Sequence, residues 1–128
     1  LVRSRGLGDV YKRQHYYNAV ADGMRTAVTG GTCRRAAIPG IEVCGKTGTA
    51  QNPHGKDHSA FMGFAPYKDP KIAVAVYVEG GGWGATFGVP IGSLVMEKYL
   101  TGTIAPERRY MEEQMLNMTL YYAAPKKK

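Results

Sequence analysis

The stretch from Lys71 to Glu79, with the sequence KIAVAVYVE, decides the fold class of this chain. An isoleucine and three valines alternate in it with two alanines and a tyrosine. A period of two with many β-branched residues predicts a β-strand. Successive side chains of a strand point to opposite faces, and the alanine face is narrow enough for a helix to pack closely against it.

Two more strands are predicted upstream. One runs from Ile41 to about Gln51 and the other from His58 to Ala65, and each ends at a turn that contains proline. The links between the three strands are five or six residues long. Because a parallel return needs a crossover of a dozen or more residues, these short links predict antiparallel neighbours.

Helical spacing is found on both sides of the strands. Apolar residues at intervals of three and four predict a helix from His15 that stops at Gly30. A second helix is predicted to open at Pro90 and to stop near Gly102, and residues 107–118 fit a short third one. The fold class is therefore α+β, an antiparallel sheet flanked by helices. Three strands make an incomplete sheet, whose free edge and face need further cover.

The ends of the chain differ from its middle in charge. The formal net charge is +7, of which residues 1–14 carry +3 and the terminal lysines 126–128 another +3. We expect residues 1–14 to be a leader or junction sequence, residues 15–102 to be the folded part, and residues 103–128 to be an extension with a basic tail. Since basic residues do not cluster in the folded part, nucleic-acid binding is not expected.

The segment Gly40–Thr47 matches the phosphate-loop pattern G-x-x-x-x-G-K-[ST]. That loop needs a strand before its first glycine and a helix that begins at its lysine. Pro39 precedes the segment, and Gly48 and Pro53 prevent a helix after it. We therefore expect no nucleotide binding.

The same residues fit better on a strand. The sequence Lys46-Thr47-Gly48-Thr49 offers one ammonium group and two hydroxyls, and Gly48 lets another backbone approach closely. An exposed strand edge with these groups can bind an extended peptide by main-chain pairing and hold its carboxylate. Alternation across the pleat separates Lys46 from the threonines unless the strand twists or bends. The alternative is an ordinary strand with a surface lysine.

Three segments in order resemble one protein family. They are Gly45–Gln51 (GKTGTAQ), Ala60–Pro66 (AFMGFAP) and the strand Lys71–Glu79. Together they are similar to the end of a class B penicillin-binding protein, of the elongation-specific type. The resemblance covers about two thirds of the chain, from about residue 23 to residue 100, and implies the C-terminal part of a penicillin-binding, β-lactamase-like transpeptidase domain.

The resemblance also implies roles for four residues. In this family Lys46, Thr47, Gly48 and Thr49 would bind the D-alanyl-D-alanine end of a peptidoglycan stem peptide, or a β-lactam. Lys46 would set the electrostatics of the site, Thr47 and Thr49 would bind the carboxylate, and the Thr49 N–H would form half of the oxyanion hole. The implied partners are the upstream part of the domain and the cell-elongation membrane machinery. The implied location is the periplasmic face of the bacterial inner membrane, although no run here approaches the ~20 apolar residues of a span.

The family's nucleophile motif S-x-x-K and its S-x-N motif are both missing. The three serines, Ser4, Ser59 and Ser93, have neither pattern after them. Without a nucleophile the isolated chain is predicted to be inactive. We expect a fragment of a cell-wall crosslinking serine D,D-transpeptidase. Alternatives are a serine β-lactamase or penicillin-sensor relative, and a non-catalytic peptide-binding module.

The remaining candidates are weaker. His54, Asp57 and His58 lie on a proline-glycine turn, where two histidines cannot share a helical face, so no metal site and no cofactor are expected. Trp83 follows three glycines and either borders the cleft or packs on the sheet edge. Two cysteines, at positions 33 and 44, are either buried thiols or one disulfide.

Overall fold

The computed structural model describes residues 14–120, with side chains from Tyr16 onward. The predicted leader lies almost wholly outside this range, as do the three terminal lysines. The elements are helix α1 (Gln14–Thr29), strands β1 (Cys44–Ala50), β2 (His58–Ala65) and β3 (Ile72–Val78), and helices α2 (Gly88–Thr101) and α3 (Arg109–Asn117). Short 3-10 helices at Arg34–Ala36 and Pro106–Arg108 precede β1 and α3.

The three strands form one antiparallel sheet in the order β1-β2-β3. The prediction of an antiparallel α+β fold is confirmed. The second predicted strand has the observed bounds, and the third is shorter by one residue at each end. The first begins three residues later than predicted, at Cys44, because Ile41 forms a tight bridge with Ile38 instead.

Both long helices contribute to a core on one face of the sheet. This core joins Val28 of α1, Phe61 of β2 and Met96 of α2, each at most 2% exposed. On β3 the valines are half-buried, while the two alanines and Tyr77 are exposed. Within residues 14–120 the helices therefore pack on the valine face and not on the alanine face that the sequence favoured for a helix. The β-branched side chains bury more apolar surface, which favours the valine face for the core.

The ring of Phe61 occupies a slot between β1, β2 and α2. Four glycines line this Phe61 slot: Gly45, Gly63, Gly88 and Gly92. A Cβ added at Gly92 would lie 2.5 Å from Phe61 Cδ1, and one added at Gly45 would lie 2.5 Å from Cε2. Because real Cβ contacts are never so short, these positions accept only glycine unless the ring moves. The glycine before Lys46 thus fixes how closely β1 packs on the core.

A buried ion pair holds the C-terminal segment to α2. Arg108 Nε donates to Glu97 Oε2 at 2.8 Å, and both side chains are at most 7% exposed. The same guanidinium donates to the Ser93 hydroxyl at 2.8 Å and to the Ala37 carbonyl, while Glu97 Oε1 accepts from the Ala105 N–H. We call this network the Arg108 clamp. Part of the predicted extension is therefore packed on α2, and α3 confirms the short helix expected over residues 107–118.

Candidate functional site

Strand β1, which carries the four candidate residues, lies at an edge of the sheet. Within residues 14–120 it pairs with β2 on one side and with no strand on the other. Lys46, Gly48 and Thr49 are exposed and Thr47 is half-buried. An unpaired edge presents a row of backbone N–H and C=O groups that can pair with an extended chain. The structure thus brings the candidate residues together along one open edge.

Lys46 lies on the face of the sheet that the core does not use. Its register partner on β2 is Met62, and the partner of Met62 on β3 is Ala75. Lys46 Nζ donates a hydrogen bond of 2.7 Å to the Thr47 carbonyl oxygen. A shallow depression of about 260 Å³ lies on this face of the sheet. Lys46, Gly48, Ala60, Met62, Ala75 and Tyr77 are among its lining residues.

The two threonine side chains lie on the opposite face from Lys46. Thr47 is paired with Phe61 and Thr49 with Ser59, on the core side of an uninterrupted register. Thr49 Oγ1 accepts a long hydrogen bond of 3.4 Å from the Gly84 N–H. The strand therefore does not bring all three side chains to one face. What they share is the outer edge of β1, where a bound chain can reach groups on both faces.

The loop between β3 and α2, residues 79–87, is called the Trp83 loop and is fixed beside the end of β1. The Trp83 carbonyl accepts from the Ser59 hydroxyl at 2.9 Å and from the Thr86 N–H at 2.8 Å. A Cβ added at Gly84 would lie 2.6 Å from the Gly48 carbonyl oxygen, so this loop crosses the backbone of β1 very closely. The Trp83 side chain is 75% exposed. Its ring is therefore largely exposed to solvent and does not pack on the sheet edge.

Two residues that contact the candidate site or the loop beside it, Ser59 and Thr32, were not predicted from the sequence. Ser59 is completely buried and also accepts from the Gly88 N–H at 3.0 Å, so it joins the Trp83 loop to the start of α2. The sequence signal was a hydroxyl at a core-facing position of β2. Thr32, in the loop after α1, places its Oγ1 3.0 Å from Thr47 Oγ1. No sequence signal indicates this contact, because 15 residues separate the two threonines.

Two groups have shifted acidities. Burial raises the pKa of the Cys44 thiol above its ordinary value, and nearby Arg25 partly opposes this. The hydrogen bond that Tyr67 donates to Asp22 raises the pKa of the Tyr67 phenol. Cys33 and Cys44 are both completely buried and unpaired, as buried thiols rather than a disulfide. Thiols with a raised pKa are poor nucleophiles, so Cys44 is not a candidate catalytic group.

The phosphate-loop and metal alternatives find no support in the geometry. Lys46 and Thr47 are inside a strand that runs to Ala50, and no helix begins at them. His58 Nδ1, at the start of β2, accepts from the Gly80 N–H, and Asp57 accepts from the Asn52 N–H, so both side chains already bond backbone groups of neighbouring loops. In the described part of the chain, no three His, Cys, Asp or Glu side chains form a group able to hold a metal ion.

The sequence profile of the penicillin-binding protein transpeptidase domain matches residues 9–97, more than half of the chain. The chain therefore belongs to this family of transpeptidase domains. It is 41% identical over 80 residues to the peptidoglycan D,D-transpeptidase PbpA of Mycobacterium tuberculosis, covering 54% of this chain and 16% of PbpA. It is 33% identical over 112 residues to the peptidoglycan D,D-transpeptidase MrdA of Haemophilus influenzae, covering 73% of this chain and 17% of MrdA.

These relatives identify the chain as part of a class B penicillin-binding protein, as predicted. The chain spans less than one fifth of the length of either relative. Penicillin-binding protein A of M. tuberculosis, in an imipenem acyl-enzyme complex, superposes at a TM-score of 0.60 with 34% identity, over 68% of this chain and 20% of that one. Pseudomonas aeruginosa PBP2, in complex with WCK 5153, gives 0.59 with 38% identity, over 71% and 21%.

No helix of residues 14–120 combines the length and the apolar character that crossing a membrane requires.

Proposed function

We propose that this chain is the C-terminal part of the transpeptidase domain of a longer peptidoglycan D,D-transpeptidase, and that its β1 edge binds the substrate. The longer protein is called the full-length protein below. The observation that carries the proposal is the position of Lys46-Thr47-Gly48-Thr49 on an unpaired, exposed strand edge. The family membership and the acyl-enzyme complex of the M. tuberculosis relative support it.

In the proposed reaction a serine supplied by the upstream part of the domain attacks the carbonyl of the penultimate D-alanine. The C–N bond to the terminal D-alanine breaks, that amine takes a proton and leaves, and the acyl group stays on the serine oxygen. An amine of a second stem peptide then attacks the ester and restores the serine hydroxyl, which completes the crosslink. A β-lactam would be attacked at its ring carbonyl in the same way, but its amine remains tethered after ring opening.

The residues of this chain would bind and polarise rather than attack. The extended stem peptide would pair with the β1 edge, and its terminal carboxylate would meet the hydroxyls of Thr47 and Thr49. The N–H of Thr49 would point at the oxyanion; a donor of this kind is worth about 3 kcal/mol in the transition state. The Lys46 ammonium would add a positive charge that stabilises the developing negative charge.

The burial of the two described serines supports a nucleophile that lies outside this segment. Ser59 and Ser93 are both completely buried and hydrogen-bonded to backbone oxygens, so neither can reach a substrate carbonyl. Ser4 lies outside the described residues. We therefore propose that the 128-residue chain alone cannot form an acyl-enzyme.

The face of the sheet opposite the core, called the open face below, also supports the proposal that other parts of the full-length protein complete this domain. Met62 and Tyr77 are 60% and 58% exposed on it, next to Ala75. They are neighbours on one face of the sheet, and contiguous exposed apolar surface is a feature of interaction sites. We propose that the upstream part of the domain covers this face. The elongation-specific role, a place among the cell-elongation machinery and the periplasmic location belong to the same proposal, on family resemblance.

Labelling with a fluorescent penicillin tests the proposal. The full-length protein should gain one β-lactam mass in intact-protein mass spectrometry, whereas the 128-residue chain should gain none. Slow release of the label would support a transpeptidase, and hydrolysis with rapid turnover would instead support a β-lactamase relative. A full-length protein that binds stem peptide but takes no label would be a non-catalytic binding module, and labelling of the isolated chain would contradict the assignment of the nucleophile.

A further inference from the structure

The hydroxyl of Thr47 has a neighbouring hydroxyl that bears on its predicted role. Thr32 Oγ1 lies 3.0 Å from Thr47 Oγ1, and either oxygen can be the donor. A threonine hydroxyl carries one hydrogen and can accept from others, whereas an ionised carboxylate only accepts. Thr47 can therefore bind a substrate carboxylate only if its single hydrogen points at that carboxylate. Its bond with Thr32 must then run from Thr32 to Thr47.

We propose that Thr32 is a positioning residue of the substrate site, an inference that rests on the proposed function of the β1 edge. Its hydroxyl donates to Thr47 Oγ1 and leaves the hydrogen of Thr47 free for the terminal carboxylate of a stem peptide or of a β-lactam. A donated bond also polarises the hydroxyl that receives it and strengthens the next bond in the chain. Thr32 itself touches no substrate.

The backbone around Thr32 is fixed on its N-terminal side by the end of α1. The N–H groups of Gly31 and Cys33 both donate to the Ala27 carbonyl, at 3.1 Å and 2.9 Å. A Cβ added at Gly31 would lie 2.9 Å from Ala27 Cα, so the chain crosses the end of the helix in close contact with it. Cys33, the next residue, is completely buried. Thr32 is therefore an exposed hydroxyl on an anchored backbone.

The Arg108 clamp fixes the same loop on its C-terminal side. Arg108 donates to the Ala37 carbonyl, and Arg35 donates to Gln114 Oε1 at 2.6 Å. Arg108 and Gln114 both lie C-terminal to residue 97, where the match to the family profile ends. The C-terminal segment thus helps to hold the loop that carries Thr32, at a distance from the β1 edge.

The test is a double-mutant cycle in the full-length protein, with the second-order rate of acylation by benzylpenicillin as the measurement. Thr32→Val removes the hydroxyl and keeps the shape. We expect it to slow acylation about three- to ten-fold, the range of one net hydrogen bond. Thr32→Ser should restore most of the rate, because it restores the donor. In a Thr47→Val background, Thr32→Val should have no further effect, since the hydroxyl that it positions is already gone.

Thr29→Val is the matched control. Thr29 Oγ1 donates to the Thr26 carbonyl of its own helix at 3.3 Å and bonds no other residue in the part of the chain that the structure describes, so this variant should acylate like the wild type. Melting curves show whether each variant is folded. A wild type that is not acylated would overturn the proposed function itself. A wild type that is acylated, with Thr32→Val equally fast, would overturn the role of Thr32 alone. Equal slowing by Thr32→Val in both backgrounds would mean a structural role and would also overturn it.

Discussion

The two faces of the sheet differ in what covers them within residues 14–120. On the core face Phe61 is 2% exposed, with its ring held in the Phe61 slot below α2. On the other face Met62, the next residue along β2, is 60% exposed. Strand β2 thus contributes a buried side chain to the core on one face of the sheet and an exposed apolar side chain on the other. The difference indicates that the stability of this segment depends on the core face, and it is the reason for the proposal that the upstream part of the domain covers the open face.

The largest expected effect is on chemistry and not on stability. Lys46→Ala in the full-length protein should slow acylation by penicillin by several powers of ten, each ten-fold being about 1.4 kcal/mol of barrier. An exposed lysine on an open face should change the free energy of unfolding by no more than about 0.5 kcal/mol. Second-order acylation rates and melting curves measure the two effects separately.

Two variants control this result. Lys46→Arg should recover only part of the rate, because a planar guanidinium does not replace a compact ammonium. Lys56→Ala, which removes an exposed lysine of the β1–β2 turn, should acylate at the wild-type rate. Equal rates for wild type, Lys46→Ala and Lys46→Arg would reduce Lys46 to an ordinary surface lysine.

Disrupting the Arg108 clamp should instead lower the stability of the fold. Arg108→Met leaves the buried Glu97 carboxylate without its partner, which typically costs about 3–5 kcal/mol of stability. Lys71→Met is the control, because its pair with Asp69 has side chains that are 58% and 80% exposed. Exposed pairs contribute about 0–1 kcal/mol. Urea unfolding of both variants measures the difference, and a similar small loss in each would show that the clamp is not a stabilising contact.

Two helix glycines sharpen the comparison further. Gly92→Ala and Gly23→Ala gain the same helix propensity, about 1 kcal/mol. A Cβ at Gly92 meets Phe61 at 2.5 Å, whereas a Cβ at Gly23 has nothing within 4 Å. Overpacking costs about 1–3 kcal/mol, so Gly92→Ala should lose stability and Gly23→Ala should gain it. If both variants gain stability in urea unfolding, the Phe61 slot is looser than the contacts indicate.

The smallest effect is a dependence on pH. Burial raises the pKa of Cys44 above its ordinary value of 9.0, so the folded protein holds this proton more tightly than the unfolded chain does. This contribution to stability is fully present below about pH 9 and is lost as the pH rises through the higher pKa of the folded state. The melting temperature of the wild type should fall more steeply above pH 9 than that of Cys44→Ala. Parallel curves would contradict the effect of burial.

The sequence predicted the elements well and their packing less well. The strand His58–Ala65 and the stop of α2 at Gly102 followed from local patterns, because turns and a left-handed glycine terminate these elements. The sequence did not determine which face of β3 is covered by α2, since a period of two does not say which face is inside. That choice depends on the Phe61 slot, which is built from glycines on three different elements.

The site shows the same limit. The motif was enough to predict Lys46, Thr47, Gly48 and Thr49 as site residues, because they are consecutive in sequence. Thr32 escaped prediction because its contact with Thr47 exists only after the loop has folded back on β1. Local patterns predict local structure, whereas hydroxyl pairs and ion pairs between distant segments require the folded chain.

A crystal structure of the full-length protein acylated by benzylpenicillin is the most direct test of the central claim, that the β1 edge binds the substrate. We expect the penicillin carboxylate to accept hydrogen bonds from the hydroxyls of Thr47 and Thr49. Its ring carbonyl oxygen, now in the ester, should lie about 2.7–3.1 Å from the Thr49 backbone nitrogen. A serine ester whose carboxylate and carbonyl oxygens both lie away from β1 would contradict the account.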